Sequence, residues 1–505
     1  MDTLVNLQDG FMAVMTLQTL FLIFVGLVAG LLVGALPGLT ATMAVAVLVP
    51  VTFGLAAVPA LSMLLAIYVG AISGGAVSAI LANTPGTPAS VATTLDGYPM
   101  ARQGKAGRAL GVSLMVSIVG SLIGITALIA LSPVISSAAL RFSGPEYFAL
   151  AFFGLTMVIG ISGRDLLKGV VSALLGLYIG FVGLDPMMGV QRFTFGSMNL
   201  LGGFSFVPVL IGLFAVSEVL LQATRLGETR PRLEVVRNVL PSLRELFKHR
   251  WLLLRSGMIG TFIGALPGAG ADIASLVSYN EAKRASKHPE RFGKGSEEGL
   301  MASETANNAV IGAALIPLLT LAIPGDAVTA VLLGAMRMHD LRPGPLLFQH
   351  NSDEVFAMYI ALIVAVLMLR VVGLFMVRAF VRVMALPKHL LLVGILLFSF
   401  VGAYALGSSV FDLGTALAFG VVGYVMLRFG YPVAPLVLAL ILGPLAEDRL
   451  RQSLVMSRGD WTILFTRPIS ATILVLAAVS IVFAFRQQRL IARMKEEMEE
   501  EHVAS

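Results

Sequence analysis

Two carboxylates stand beside Pro-Gly pairs in otherwise apolar surroundings. Asp272 follows Pro267-Gly268 after a short gap, and Asp326 follows Pro324-Gly325 directly. Small oxygen-bearing side chains accompany them: Ser275, Thr329 and, upstream, the run Ser303-Glu304-Thr305-Ala306-Asn307-Asn308. Such oxygens could ligate Na+, or could orient a carboxylate substrate together with backbone donors. The first half of the chain has similar pairs with neutral neighbours. Pro37-Gly38 is followed by Thr40 and Thr42, and Asn83-Thr84-Pro85-Gly86-Thr87 by Ser90, Thr93 and Thr94. The candidate substrate-binding residues are Pro37, Gly38, Thr40, Asn83, Thr84, Pro85, Gly86, Thr87, Gly268, Gly270, Pro324 and Gly325. The candidate coupling-ion residues are Asp272, Ser275, Asp326, Thr329, Asn307 and Asn308. Small residues also line tight helix contacts in membranes. Ionisable groups at membrane depth, however, are costly and usually functional, and four breaks in two matched pairs favour a site over packing alone. Glu218 and Glu447 sit at helix ends, where solvation at the interface accounts for them.

The elements that hold these residues are broken helices. The stretch GALPG occurs at 34–38 and again at 264–268. Proline removes a helical N–H and clashes with the preceding turn, and glycine adds backbone freedom. In hydrocarbon, free backbone groups survive only where protein or a watery cavity satisfies them. A break exposes helix ends: amides that suit an anion and carbonyls that suit a cation. Transporters place such ends near the membrane midplane.

The composition agrees with a membrane setting. Of 505 residues, 57% are hydrophobic and only 13% charged, with a mean hydropathy of +0.90. Soluble domains carry about 25% charged residues. Apolar runs such as Phe21 to Val33, Val112 to Leu131, Val355 to Leu369 and Ile469 to Phe485 approach, with their flanks, the roughly 20 residues of a spanning helix. The fold class is therefore an all-α polytopic membrane protein in a lipid bilayer. The absence of cysteine excludes thiolate metal sites and thiol catalysis. The six histidines lack metal-site spacing, no phosphate-binding loop is present, and no nucleophile–base set sits at membrane depth. An enzyme and an organic cofactor are not expected; Na+ or H+ is the coupling ion to expect. The net charge of +6 reads as positive-inside loops and not as a nucleic-acid surface.

Basic clusters lie at 101–108, 225–250, 283–294 and 486–495, whereas the first Lys or Arg is Arg102. This predicts an N-terminus outside and a cytoplasmic C-terminus. The halves share an order of features. The GALPG copies are offset by 230, Pro85 and Pro324 by 239, and Pro145 and Pro387 by 242. Pro208 precedes Glu218 much as Pro435 precedes Glu447. The basic side swaps between the copies, which predicts two inverted repeats with an odd number of crossings each. The expected organisation is a first repeat at 1–226, a basic cytoplasmic linker at 227–250, a second repeat at 251–456, and an extra helix with a solvated cytoplasmic tail at 457–505. The span length gives roughly 11 to 15 helices, depending on whether Leu39 to Phe53 crosses or re-enters.

Three stretches carry a resemblance to a known family: GALPGLTATMAVAVLVPVTFGL, YVGAISGGAVSAILANTPGTPASVATTLDGYPMARQGKAGRALG and IPGDAVTAVLLGAMRMHDLRPGP. Together they resemble the large membrane subunit of the tripartite tricarboxylate transporters, over nearly the whole chain. The one departure noted is Ile72-Ser73-Gly74-Gly75-Ala76, where Tyr-Gly-Gly-Ser is expected. The resemblance implies a bacterial inner-membrane location, a small membrane subunit and a periplasmic solute-binding protein as partners, and ion-gradient-driven import of citrate or a related di- or aromatic carboxylate. The alternative is a substrate-selective channel that moves carboxylates down their gradient, since broken helices line filters too.

Overall fold

A computed structural model describes residues 2–161, 166–224, 240–268, 270–383 and 388–482. Residues 225–239 of the basic stretch, Pro387 and the tail from 483 lie outside them. The chain opens with α1 (Asp2–Val14) and α2 (Leu17–Ala35), the Thr16 hydroxyl accepting the Thr19 N–H to cap α2. α3 (Ala41–Leu48) has 8 residues. That is about 12 Å of helix, too short to cross about 30 Å of hydrocarbon. α4 (Ala57–Ala82), α5 (Val91–Met100) and α6 (Ala106–Ala139) follow. Next come α7 (Gly144–Ile161), α8 (Leu166–Gly180) and a small hairpin of β1 (Gly183–Leu184) and β2 (Gln191–Arg192). α9 (Phe206–Leu210) runs through a π-helical turn into α10 (Ser217–Ala223).

The second half begins with α11 (Leu243–Lys248), α12 (Arg250–Gly264), α13 (Gly270–Ala285), α14 (Glu297–Leu321) and α15 (Ala327–Met338). It continues with α16 (Leu347–His350), α17 (Ser352–Val383), α18 (Lys388–Gly407), α19 (Val410–Arg428) and α20 (Val433–Met456). α21 (Ile463–Thr466) and α22 (Pro468–Val482) close the described chain. Among the described residues, seven helical segments are long and apolar enough to span a membrane, and five apolar helices are shorter. The chain is an all-α polytopic membrane protein.

Two compact units emerge, each drawing one stretch from each half of the sequence. Unit 1 comprises Met1–Leu140 with Phe206–Tyr424; unit 2 comprises Arg141–Ser205 with Val425–Ser505. In unit 1 the central helices are α4 and α14, each 94% buried within the protein. Glycine makes that burial possible. A Cβ at Gly26, Gly30 or Gly34 of α2 would land on the carbonyl oxygens of Met63, Ile67 and Ala71 in α4. Gly120 and Gly124 of α6 lie in the same way on Thr305 and Ala309 of α14, and Gly260 of α12 lies on Ala306. Small residues let membrane helices approach backbone to backbone.

Unit 2 packs α7 and α8 on α20. Its hairpin is tied down by charge. Asp185 accepts the Met187 and Met188 amides at 2.8 and 3.0 Å and pairs with Arg192 and with Arg451, the latter at 2.7 Å. Glu447 pairs with the same two arginines at 2.9 and 2.7 Å. Glu447, expected at a helix end, instead lies inside α20 and belongs to an ion-pair network. The Met188 amide, aided by the Met187 amide and the guanidiniums, holds the Asp185 carboxyl well below the usual aspartate range.

Candidate functional site

All four Pro-Gly elements fall in unit 1, where they meet in pairs. α2 ends at Ala35, Leu36 turns extended, and Gly38 takes a left-handed φ of 85°. That left-handed backbone favours glycine, and the Gln222 amide fills the space where a Cβ would stand. Thr40 then caps α3, its hydroxyl accepting the Met43 N–H at 3.1 Å. α4 ends at Asn83, also left-handed (φ 53°, ψ 25°). The Gly86 N–H donates to the Gly75 carbonyl at 3.3 Å, and Gly86 lies against the carbonyl of Gly34. The first GALPG is therefore in contact with the first-half Pro85-Gly86 element.

The same pairing occurs in the second half. Gly268 has a φ of 82°, and its N–H donates to the Gly325 carbonyl at 2.8 Å. α14 ends at Ala322 with a left-handed backbone (φ 59°, ψ 25°), close to that of Asn83. Asn83 and Thr84 are exposed, whereas Gly86, Thr87, Pro324 and Gly325 are buried. The Thr87 and Ser90 hydroxyls share a hydrogen bond of 2.9 Å. Pro37, Gly38 and Pro85 are half-buried, and Gly270, also left-handed at φ 68°, opens α13.

The acidic candidates differ in setting. Asp326 is the N-cap of α15: its Oδ1 accepts the N–H and the hydroxyl of Thr329, both at 2.8 Å. Its Oδ2 accepts the Tyr68 hydroxyl of α4 at 2.5 Å. Both oxygens of this carboxylate are thus engaged by the protein. Asp272, in the first turn of α13, is exposed. Ser275 directs its hydroxyl to the Asp272 carbonyl at 2.8 Å.

Asn307 and Asn308 are both fully buried on α14 but face different neighbours. Neither amide atom of Asn307 has a hydrogen-bond partner. By helical spacing it shares a stripe with Val310 and Ala314, which pack on Ala89, Ala271 and Ala274 beside the breaks. Asn308 is fully engaged. Its Oδ1 accepts the Ser73 hydroxyl at 2.8 Å, and its Nδ2 donates to Ser117 at 2.9 Å and to the Glu304 carbonyl at 3.0 Å. Glu304 also accepts from Thr93 and from Ser117.

Tyr68, Ser73 and Ser117 are absent from the sequence-derived candidates. They sit on unbroken helices in apolar runs, where a hydroxyl looks like ordinary helix packing. One signal was available on α6: Ser113, Ser117 and Ser121 recur every four residues and so share one face.

The sequence profile of the Tripartite tricarboxylate transporter TctA family matches residues 20–438, a range that includes every Pro-Gly element described above. The chain belongs to the TctA family. Membership makes it a membrane component of a tripartite transporter that works with partner subunits. Among relatives, an "Uncharacterized 52.8 kDa protein in TAR-I ttuC' 3'region" of Agrobacterium vitis is 36% identical over 484 residues, covering 96% of each chain. A second protein of that organism, "in TAR-II ttuC' 3'region", is 36% identical over 225 residues, covering 45% of this chain and 93% of its own. No solved structure matches.

Proposed function

We propose that this TctA chain is the translocating subunit of an ion-gradient-driven importer of tricarboxylates or related carboxylates, working by alternating access. The observation that carries this reading is the pairing of broken helices. In each half GALPG touches a second Pro-Gly element, and Tyr68–Asp326 and Ser73–Asn308 tie the halves together. Opened helices of this kind bring backbone amides and carbonyls into a membrane protein's interior, where a substrate and an ion can use them.

The roles divide by charge. Asn83, Thr84 and Thr87 surround a break without acidic side chains, and the turn leading into α5 has no side-chain cap. The Asn83, Thr84, Gly86 and Ser90 amides already donate to backbone carbonyls, so the exposed Asn83 and Thr84 side chains are the donors this break offers to the substrate's carboxylates. Pro37, Gly38, Gly268, Gly270, Pro324 and Gly325 shape the same floor. Asp272 and Asp326 repel an anion and attract a cation, so the coupling ion, Na+ or H+, is assigned to their side, with Ser275, Thr329, Asn307 and Asn308 near by. The matched left-handed caps at Asn83 and Ala322, and the like turns at Gly38 and Gly268, support the reading of duplicated halves. Their opposite orientation follows from the charge swap in the sequence.

A small membrane subunit and a periplasmic binding protein complete the transporter in the bacterial inner membrane, with the N-terminus outside and the C-terminus in the cytoplasm. The test is uptake of radiolabelled carboxylate by proteoliposomes containing all three proteins. Uptake should exceed the outside concentration only under an inward Na+ or proton gradient. Uptake that merely equilibrates, and ignores collapse of both gradients, would mean a channel.

A further inference from the structure

Glu304 is fully buried in the middle of the polar cluster of unit 1. Its known partners are all neutral. Thr93 of α5 donates to Oε1, Ser117 of α6 donates to Oε2 at 3.4 Å, and Asn308 Nδ2 stands 3.5 Å from Oε2. None of the described ion pairs includes Glu304.

Most charged and titratable groups on the packed helices are engaged elsewhere. On α4, Tyr68 donates to Asp326. On α5, Asp96 accepts the amides of Gly293, Gly295 and Ser296, and Tyr98 lies beyond it. On α6, Arg108 pairs with Glu245 and Glu297. On α12 and α13, Arg255 and Arg284 pair with Glu281, while Asp272 and Tyr279 remain on α13. On α14 itself, Glu298 accepts from Ser286. A buried carboxylate without a cation costs several kcal/mol. In a membrane protein such a group marks an ion or proton path by default.

The geometry favours a proton over a metal ion. Thr93, Ser117, Asn308 and Ser73 form one continuous chain of hydrogen bonds with the carboxylate. A metal ion would have to separate oxygens that are now in contact, and Asn308 directs an N–H toward Glu304. A proton needs no such space. A polar group without a partner follows the cluster along α6: the buried Ser121 Oγ lies one turn beyond Ser117.

We propose that Glu304 binds and releases the proton that drives transport, with Thr93, Ser117 and Asn308 as its hydrogen-bond partners. This deepens the importer reading and rests on it, and it moves the coupling proton from Asp272 and Asp326 to Glu304, the neighbour of Asn308. The step balances simply: the carboxylate takes a proton from outside water and returns it to inside water. When Glu304 is protonated, its new O–H needs an acceptor, and the Thr93 oxygen is nearest. Thr93 then ceases to donate, and α5 leads directly back to the Pro85-Gly86 break. Loading with a proton is thereby transmitted to the substrate side.

The experiment uses three-protein proteoliposomes with native chain, Glu304→Gln and Glu304→Asp. The Gln variant mimics a permanently protonated group. It should lose pH-gradient-driven accumulation, and substrate exchange should lose its pH dependence; the Asp variant should keep both with a displaced pH profile. A Gln variant with native accumulation and pH profile overturns the proposal. Should the Gln variant fail to fold, the native chain decides: uptake must alkalinise a weakly buffered exterior, and Na+-driven uptake without alkalinisation refutes the proton role. Native vesicles that never accumulate substrate would instead refute the importer reading.

Discussion

At the scale of single residues, Tyr68 and Asn307 make opposite predictions. Tyr68 supplies the bond that satisfies Asp326 Oδ2. Tyr68→Phe leaves that oxygen buried and unpaired, at a cost of about 1–3 kcal/mol. The thermal unfolding midpoint in detergent should fall; an unchanged midpoint would show that Asp326 does not depend on this bond. Asn307 is already unpaired, so Asn307→Leu should leave stability unchanged or raise it by about 1 kcal/mol. If the bare amide serves the site, transport should nevertheless drop. A stable variant with full transport would make Asn307 a packing residue. Sequence reading found Asp326, Asn307 and Asn308 because acids and amides are conspicuous in apolar stretches. It missed Tyr68, Ser73 and Ser117 because a hydroxyl at membrane depth has no local mark of its role. Only the fold brings Ser73 to Asn308.

At the scale of elements, the breaks were legible and their partners were not. Proline forces an interruption wherever it falls inside a helix, so GALPG announces itself. The contact of Gly34 with Gly86 depends instead on how α2 lies on α4. Gly86→Ala would drive a Cβ into the Gly34 carbonyl, where backbone cannot yield as a side chain can. The variant should aggregate or elute heterogeneously in size-exclusion chromatography, whereas Gly54→Ala, with open space around it, should resemble native chain apart from a strained φ. The hairpin of unit 2 makes a separate prediction. The folded-state pKa of Asp185 is depressed, so its contribution is present above the ordinary aspartate value of about 3.9 and fades as pH falls below it. Asp185→Asn should weaken the hairpin already at neutral pH, seen as faster amide exchange over 183–192, and should show a shallower loss on acidification.

At the scale of the whole molecule, composition revealed the environment but not the centre. The high apolar content marks a membrane protein without any knowledge of packing. It does not reveal that α4 and α14 lie innermost. α14 is the least apolar of the seven candidate spans, yet it shares the deepest burial. Polar residues in a membrane need protein partners, so the helix that carries most of them is drawn inward. Hydrogen exchange tests this order: amides of α4 and α14 should exchange last, and those of α2 and α19, each only 39% buried, earlier. Equal protection across the four would contradict the arrangement. The interleaved units were likewise invisible in a linear reading, because they are defined by contacts between distant stretches.

The seam between α2 and α4 has one more mechanical meaning. Gly26, Gly30 and Gly34 recur at intervals close to one helical turn, and so do the carbonyls of Met63, Ile67 and Ala71 that they face. Sliding by half a turn would push side chains into those carbonyls. Sliding by a full turn, about 5.4 Å, would rebuild most of the same contacts one notch along. The spacing resembles a rack with coarse teeth: it resists small displacements, and most of its contacts return only after a whole turn.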